Sequence, residues 1–236
     1  MSDFPKPILD YWHKSFRGTA IGATGDFTLS IVSSLDRKRP VMLLERQDDR
    51  TQAAVTPELA DFLGNGAHLA GAVGLREGVV RAGVNFYDPD FLFYYPADAM
   101  PDVSHKRSAR QLTEADHIAF CAFHSSASQE DREDAFVELD HWAVFGCFDG
   151  DRLVSAASAI LWKDSPLADL GVLTLPDARG RGYARAAVLA ISAYARQQGY
   201  KPQYRCQLDN QASIALAKAC GFALFGRWTV GTGWPE

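Results

Sequence analysis

Two glycines and two arginines stand together in a predicted strand–turn–helix segment. The apolar run Leu170–Leu175 predicts a short strand, and Gly182–Gln198 has the apolar spacing of a helix that Gly199 would end. Arg179-Gly180-Arg181-Gly182 lies between them. Glycine lets backbone N–H groups approach a ligand, and the start of a helix favours negative charge. The segment therefore predicts a phosphate site, most simply for a pyrophosphate, with a turn that binds nothing as the alternative.

Two common phosphate-binding patterns do not fit this turn. A P-loop ends in Gly-Lys-Ser or Gly-Lys-Thr, and neither follows Gly182. A dinucleotide-binding turn needs a third glycine, but that position is Arg185. The missing glycine argues against a nucleotide-dependent dehydrogenase.

A second segment downstream has a matching character. Gln203–Leu208 predicts a strand, and Asn210-x-x-Ser213 opens a predicted helix that ends at Cys220-Gly221-Phe222. Asn210 and Ser213 both suit the N-terminus of a helix, where either side chain could cap the backbone. Helix capping and ligand contact are compatible at these positions.

Together the two segments resemble the coenzyme A-binding segments of the GNAT acetyltransferase superfamily. The loop Arg179-x-x-Gly182-x-Ala184 is similar to its Gln/Arg-x-x-Gly-x-Gly/Ala loop, and Asn-x-x-Ser with a following Gly-Phe is similar to its second coenzyme segment. The run Asp-x-Gly-Val-Leu-Thr-x-Pro, which begins at Asp169, narrows the resemblance to relatives of zwittermicin-type resistance acetyltransferases. The resemblance covers about Ser108–Val230.

The resemblance implies acetyl-CoA as the acyl donor and no metal. It implies that the strands carrying Val172 and Tyr204 separate and that the pantetheine arm lies between them, bound to backbone groups of the first strand. It assigns the pyrophosphate to main-chain N–H groups of the loop. The arm-binding residues would be Val172, Leu173 and Thr174, with Asn210 and Ser213 on the opposite wall. The loop residues would be Arg179, Gly180, Arg181, Gly182, Tyr183 and Ala184, with Arg181 and Arg185 adding charge.

Acyl transfer to an amine also needs groups that move protons. Asp169 is the candidate base, with a strand-end carboxylate or a salt bridge as its other interpretation, and His141 is the alternative base. Many relatives carry a Tyr as the acid four residues before the Gly of Gly-Phe, but this chain has Ala217 there. Ser213 or water would then protonate the departing thiolate.

The resemblance implies an α/β (α+β) fold with a mixed, mostly antiparallel central sheet flanked by helices. A smaller α/β N-terminal domain, residues 1–105, would shape the acceptor site or pack against the catalytic domain, residues 106–236, with 97–107 as the linker. The Ser108–Glu236 piece is expected to bind coenzyme A by itself. Further helices are predicted over 7–16, 56–63, 67–82, 112–123 and 131–139, and strands over 27–33, 41–46, 142–148, 153–161 and 223–230.

Short-range signals mark several of these elements. Thr56 and Thr113 are predicted N-caps, with Asp116 at the capping-box position of Thr113, and Asp149-Gly150 predicts a hairpin. The aromatic run 86–95 predicts a strand packed into a core or between domains, with the lining of a ligand groove as the alternative.

Composition limits the remaining function classes. The chain has 236 residues, 47% of them hydrophobic, and a net charge of −5, which argues against non-specific nucleic-acid binding. The N-terminus lacks the pattern of a signal peptide, and no apolar run is long enough to span a bilayer. A cytoplasmic protein without nucleic-acid or membrane partners is therefore expected.

The cysteines show no spacing typical of a disulfide framework or a metal site. Cys121, Cys147, Cys206 and Cys220 are expected to be reduced thiols. Cys121-x-x-His124 is a lone pair without a second half, so no metal is predicted there.

The function that the resemblance implies is an N-acetyltransferase acting by direct attack of a small-molecule amine on acetyl-CoA. Such an enzyme could form a homodimer. The alternative is an acyl-CoA-binding module without catalysis, which would sense the ligand or bind a partner. The absent Tyr and the unproven base keep this alternative open.

Overall fold

The computed structural model describes residues 4–64, 71–99, 101, 108–162 and 164–233. The chain divides into two compact units that interleave along the sequence. The first unit comprises residues 1–8, 93–205 and 210–223, and the second comprises 9–92, 206–209 and 224–236. Neither unit coincides with residues 1–105 or 106–236, because a C-terminal segment belongs with the N-terminal unit.

The secondary structure follows the predicted order with three additional strands. The helices are α1 (Lys6–Ser15), α2 (Pro57–Leu63), α3 (Ala72–Arg81), α4 (His117–Ser126), α5 (Gln129–Ala135), α6 (Tyr183–Gln197) and α7 (Gln211–Ala219). The strands are β1 (Thr19–Thr24), β2 (Phe27–Ile31), β3 (Val41–Arg46), β4 (Thr51–Val55), β5 (Asp90–Tyr94), β6 (Arg110–Gln111), β7 (Ala143–Asp149), β8 (Arg152–Leu161), β9 (Leu167–Thr174), β10 (Lys201–Gln207) and β11 (Ala223–Val230). Strands β1, β4 and β6 were not predicted.

The first unit is built on a sheet with the strand order β6-β7-β8-β9-β10. Its first three pairings are antiparallel, and β9 with β10 is parallel. Helix α6 packs on β7, β8 and β9, while α4 packs on β8 and α5 on β9. The sheet is mixed, mostly antiparallel and flanked by helices, as predicted.

Side-chain alternation places the helices of this unit on two faces of the sheet. Phe120 and Phe123 of α4 share a buried cluster with Ala156 and Leu173, which lie opposite each other on β8 and β9. Ser155, the residue before Ala156 on β8, points its side chain to the other face of the sheet. On that other face, the thiol of Cys147 on β7 donates to the carbonyl of Tyr183 at 3.4 Å, which fixes the first turn of α6 to the sheet.

The second unit has the strand order β1-β2-β4-β3-β11. Strand β4 lies between β2 and β3, parallel to the former and antiparallel to the latter, so the two predicted strands are not neighbours. Helices α2 and α3 cover a core that includes Leu43, Leu59 and Val79. The final strand β11 completes this sheet by antiparallel pairing with β3.

Local signals in the sequence placed several helix starts correctly. Thr56 accepts a hydrogen bond from the Leu59 N–H at 3.4 Å, and Thr113 with Asp116 forms the predicted capping box. The predicted helix 131–139 is wrong beyond Ala135, since Phe136 adopts a left-handed φ of 45° that ends α5.

Parts of two predicted elements lie outside the described residues. The helix predicted over 67–82 is described from 71 onwards and runs as α3, and most of the linker predicted over 97–107 is not described. The aromatic run 86–95 contains β5, whose last three residues are buried. Within the described ranges, none of the helices has the length and hydrophobicity that crossing a bilayer requires.

Candidate active site

Strands β9 and β10 pair over four residues and then separate. Their register runs from Lys201 opposite Leu167 to Tyr204 opposite Leu170. Beyond this pair β9 continues to Thr174, still paired with β8 on its other side but with no recorded partner towards β10 in this part of the described chain. Backbone polar groups need partners, so the unpaired edge of β9 can accept an extended ligand as it would a strand. The separation predicted near Val172 and Tyr204 is confirmed.

The predicted phosphate turn has an open backbone. Gly180 and Gly182 have left-handed φ angles of 71° and 85°, and no side chain caps α6 at Gly182 in the part of the chain that is described. Nothing lies within 4 Å of the point where a Cβ on Gly180 would stand. The Ala186 N–H already donates to the Gly182 carbonyl at 3.1 Å, as the first turn of a helix requires. The amides before it can therefore bind an anion.

The arginines of this turn are paired with carboxylates of their own unit. Arg179 Nη2 lies 2.6 Å from Asp131 Oδ1, and its Nε donates to the Thr174 carbonyl at 3.2 Å. Arg181 Nη2 lies 3.0 Å from Asp149 Oδ2. These ion pairs offset much of the predicted positive charge, which leaves the main-chain amides as the clearer anion ligands.

Arg185 differs from the other two arginines. It lies in the first turn of α6, and its Nε is buried without a hydrogen-bond partner among the described residues. A buried donor without a partner costs free energy unless a ligand or water satisfies it. The chain thus fits a diphosphate here, through the open amides and this one orphaned donor.

The second predicted coenzyme segment forms a capped helix. The side chain of Asn210 accepts a hydrogen bond from the Ser213 N–H at 2.9 Å and so starts α7. This cap uses the amide oxygen of Asn210 and the backbone of Ser213, and it leaves the Asn210 NH₂ group and the Ser213 hydroxyl for other partners. Ala217, where many relatives carry a Tyr, is fully buried.

Asp169, the candidate base, is part of a salt bridge. Its carboxylate accepts hydrogen bonds from Gln203 Nε2 at 2.8 Å and from Arg205 Nη2 at 2.7 Å, while Arg205 Nε lies 3.1 Å from each oxygen. The Tyr94 hydroxyl donates to the side-chain carbonyl of the fully buried Gln203. Both carboxylate oxygens thus already face donors, which favours the salt-bridge interpretation.

His141, the alternative base, lies on the face of the sheet against which α4 and α5 pack. Its Nδ1 is 2.8 Å from the Ser158 hydroxyl, and its ring meets the Phe136 ring edge-on at 5.0 Å between centroids. Burial lowers the pKa of this imidazole below its ordinary value of 6.5, and the charges of Asp140 and Glu138 partly oppose that shift. The group is therefore neutral at pH 7, as a base must be.

The surroundings of His141 could not be found from the sequence. Ser158 lies opposite Gly171, the first β9 residue beyond the last pair with β10. A Cβ on Gly171 would collide with the Ala135 carbonyl, so this glycine permits the end of α5 to lie against the strand. A bare glycine in a strand was the one available signal of such a close approach.

Cys121 and His124 of α4 contact different side chains. Cys121 lies 3.5 Å from His117, whereas His124 lies 3.6 Å from Glu138. In the described ranges, no group of three or more His, Cys, Asp or Glu side chains is arranged to hold a metal. The four cysteines, which all lie in the described ranges, form no disulfide with one another, and all but Cys121 are buried.

Comparison with known sequences points to one superfamily. Residues 109–222 match the model of the acetyltransferase (GNAT) family. YdfB, an uncharacterised N-acetyltransferase of Bacillus subtilis strain 168, is 29% identical over 86 residues, which are 36% of this chain and 33% of that protein. The match thus spans about a third of the length of this curated relative.

Solved structures share the fold at low sequence identity. A protein assigned to the GNAT family from Novosphingobium aromaticivorans has a TM-score of 0.50 and 20% identity, over 65% of this chain and 69% of that one. A GCN5-related N-acetyltransferase from Sphaerobacter thermophilus has a TM-score of 0.50 and 14% identity, over 71% of this chain and 58% of that one. At such identities the likeness establishes the fold alone.

Proposed function

Because residues 109–222 match the model of the acetyltransferase (GNAT) family, we propose that this protein moves an acetyl group from acetyl-CoA to the amine of a small molecule. The observation that carries the proposal is the unpaired edge of β9 in the same unit as the uncapped start of α6. An extended arm with an anionic end needs both features, and either alone would be a weaker argument.

Each part of the donor would be held by a different backbone feature. Backbone groups of Val172, Leu173 and Thr174 would bond to the amides of the arm, since the Leu173 side chain is itself buried against α4. The diphosphate would lie on the N–H groups at Gly182 and Tyr183. When bound, acetyl-CoA supplies a thioester carbon that an amine lone pair attacks and a sulfur that leaves with the electrons of the C–S bond.

Proton transfer would be shared between the chain and water. The Ser213 hydroxyl, at the start of α7, can donate a proton to a departing thiolate, and Ala217 offers no hydroxyl one turn later. General acid assistance is worth about 10²–10⁴-fold in rate. A thiolate is a fair leaving group, so turnover would be slower than with a Tyr but not abolished.

The acceptor is expected to be a small amine, in keeping with the net charge of −5. The narrower resemblance to zwittermicin-type resistance enzymes stays a prediction that depends on the run from Asp169 to Pro176. A second candidate function is an acyl-CoA-binding module without catalysis. The engagement of Asp169 by Arg205, together with the buried Ala217, favours this candidate.

Two glycines at the ends of α6 provide a direct test. Gly182→Glu is expected to raise the Kd for coenzyme A by about tenfold or more, since a carboxylate would occupy the place of the phosphate. Gly199→Glu is the matched control, because Gly199 also has a left-handed φ, of 88°, and open space around its Cβ position. Isothermal titration calorimetry measures both variants. Equal affinities would remove the loop from the proposed site.

Turnover separates the enzyme from the binding module. Thiol release from acetyl-CoA is followed with spermidine, kanamycin and lysine as amine probes. Acceleration by any of these amines supports the transferase. Tight coenzyme A binding without amine-dependent release on the whole panel favours the module.

A further inference from the structure

The Ser158 hydroxyl links His141 to the end of α5. Its oxygen lies 2.8 Å from His141 Nδ1 and 3.5 Å from the Phe136 carbonyl. A carbonyl oxygen can only accept, so the single proton of Ser158 is directed to Phe136 in a long hydrogen bond. When Ser158 donates to Phe136, its oxygen accepts from His141 Nδ1–H, and in that tautomer the lone pair of the imidazole stands on Nε2.

The backbone at Phe136 is strained in a way that supports this arrangement. Its φ of 45° is unusual for a bulky residue, and Phe136 as a whole remains 58% exposed. Strained backbone of this kind concentrates at functional sites. Here the strain ends α5, turns the carbonyl of Phe136 towards Ser158 and sets its ring against the imidazole.

The location of His141 relates it to the proposed acyl site. Ser158 is the β8 partner of Gly171, and the last pair of β9 with β10 is at Leu170. The imidazole therefore contacts a β8 residue that is paired with β9 at the point where the pairing of β9 with β10 ends. No hydrogen bond to its Nε2 is recorded among the described residues.

From this geometry we infer that His141, oriented by Ser158 and the Phe136 carbonyl, takes the proton from the acceptor amine. The inference rests on the proposed transferase function. In the step, one N–H bond of the acceptor's ammonium group breaks, its electron pair stays on the amine nitrogen, and the proton bonds to His141 Nε2. The half-buried imidazolium then returns the proton to solvent. Asp169 is not the base in this scheme, because Arg205 and Gln203 already engage its oxygens.

The charges around His141 define its pH dependence. Glu138 and Asp140 of its own segment face it, whereas β8 and the end of α5 present the uncharged Ser158 and Phe136. Burial holds the pKa of the imidazole below 6.5, so the base is neutral above that pH and protonated as the pH falls through its pKa. Activity in kcat/KM is therefore expected to fall with acidification below about pH 6.5.

The first experiment reads the imidazole itself, without turnover. Long-range ¹H–¹⁵N NMR of the full chain is expected to show His141 as the Nδ1–H tautomer. Ser158→Ala is expected to produce a mixture of tautomers, while the signals of the exposed His117 stay unchanged. A wild-type Nε2–H tautomer would overturn the inference, since Nε2 could not then accept a proton.

The second experiment separates chemistry from binding. His141→Gln is expected to lower kcat at pH 7.5 by about 10²–10⁴-fold and to remove the acidic limb of the kcat/KM profile, with the Kd for coenzyme A unchanged. His117→Gln, an exposed histidine on α4, is the matched control and is expected to retain full kcat. Asp169→Asn is expected to lower kcat by less than His141→Gln and to keep the acidic limb.

The outcomes distinguish this inference from the function on which it rests. A His141→Gln variant with wild-type kcat would overturn the inference and leave the transferase standing. If the Asp169→Asn variant lost the acidic limb instead, Asp169 would be the base. Absence of amine-dependent turnover by the wild type would overturn both proposals.

Discussion

Arg179 of the phosphate turn has structural partners on two sides. Its guanidinium bonds to Asp131 of α5 and to the carbonyl of Thr174, so it joins the end of β9 to the neighbouring helix. The two side chains of the ion pair remain 52% and 31% exposed, so the pair adds little to global stability. Its effect is expected on the position of the turn, where a small displacement of the amides weakens binding.

Replacement of Arg179 is therefore expected to change binding more than folding. Arg179→Ala should raise the Kd for coenzyme A about threefold to tenfold, with a melting temperature close to that of the wild type. Asp131→Asn should act in the same direction, because it weakens the same ion pair. Titration calorimetry and thermal unfolding provide the two measurements.

The neighbouring ion pair between Arg152 and Asp177 supplies the control, since it is even more exposed. Arg152→Ala is expected to leave the Kd unchanged. Tighter binding by Asp131→Asn would contradict the proposed role of this ion pair in positioning the turn, because it would mean that the carboxylate competes with the phosphate for Arg179.

At the scale of elements, the start of α7 combines a helix cap with a predicted ligand contact. The oxygen of Asn210 accepts from the Ser213 N–H, whereas its NH₂ group makes no contribution to this cap. The two groups can be separated by substitution, because aspartate retains the acceptor and lacks the donor.

Asn210→Ala is expected to lower the free energy of unfolding by about 0.5–2 kcal/mol through loss of the cap. Asn210→Asp should retain most of that stability and still weaken coenzyme A binding, since the donor is lost and a negative charge is added. Urea unfolding and calorimetry on the three chains measure the two effects. Wild-type affinity in Asn210→Asp would reduce Asn210 to a structural cap.

Elements with local signals were predicted from the sequence. The glycines around α6, the Asp149-Gly150 hairpin and the capping box at Thr113 each depend on neighbours a few residues away. Strand β4 lacked such a signal, because its sequence TQAAV has a β-branched residue only at each end, with a glutamine and two alanines between them. Its place between β2 and β3 follows from core packing and not from local preference.

The site was predictable to the same extent. The backbone features for an acyl carrier follow from Gly180, Gly182 and Asn210, which act close to their own positions in the chain. The partner of Asp169 is Arg205, 36 residues away, and it is set by the parallel register of β9 and β10. The contact of Ser158 with both His141 and Phe136 depends likewise on tertiary packing, and no local pattern marks it.

At the scale of the whole molecule, the path of the chain limits how it can be divided into fragments that fold independently. Strand β11 lies near the C-terminus, yet it pairs with β3 from Gly226 opposite Arg46 to Val230 opposite Met42. Its side chains Phe225 and Trp228 are buried and contact the ring of Trp12. Strand β3 and Trp12, which both contact β11, thus lie in the first 50 residues.

A fragment of residues 106–236 is accordingly expected to lack stability, in contrast to the expectation from the sequence that Ser108–Glu236 binds coenzyme A by itself. Removal of β3 and Trp12 would uncover a strand edge and two aromatic side chains, each worth about 1.5–3 kcal/mol when buried. That loss is large against the ~5–15 kcal/mol of a typical domain.

A protease site introduced at 102–107 allows one preparation to yield both the nicked chain, as control, and the separated C-terminal piece. The nicked chain should bind coenzyme A like the intact one, whereas the separated piece should aggregate or unfold without a cooperative transition. A soluble piece that unfolds cooperatively and binds with the affinity of the full chain would refute the dependence of β11 on the N-terminal residues.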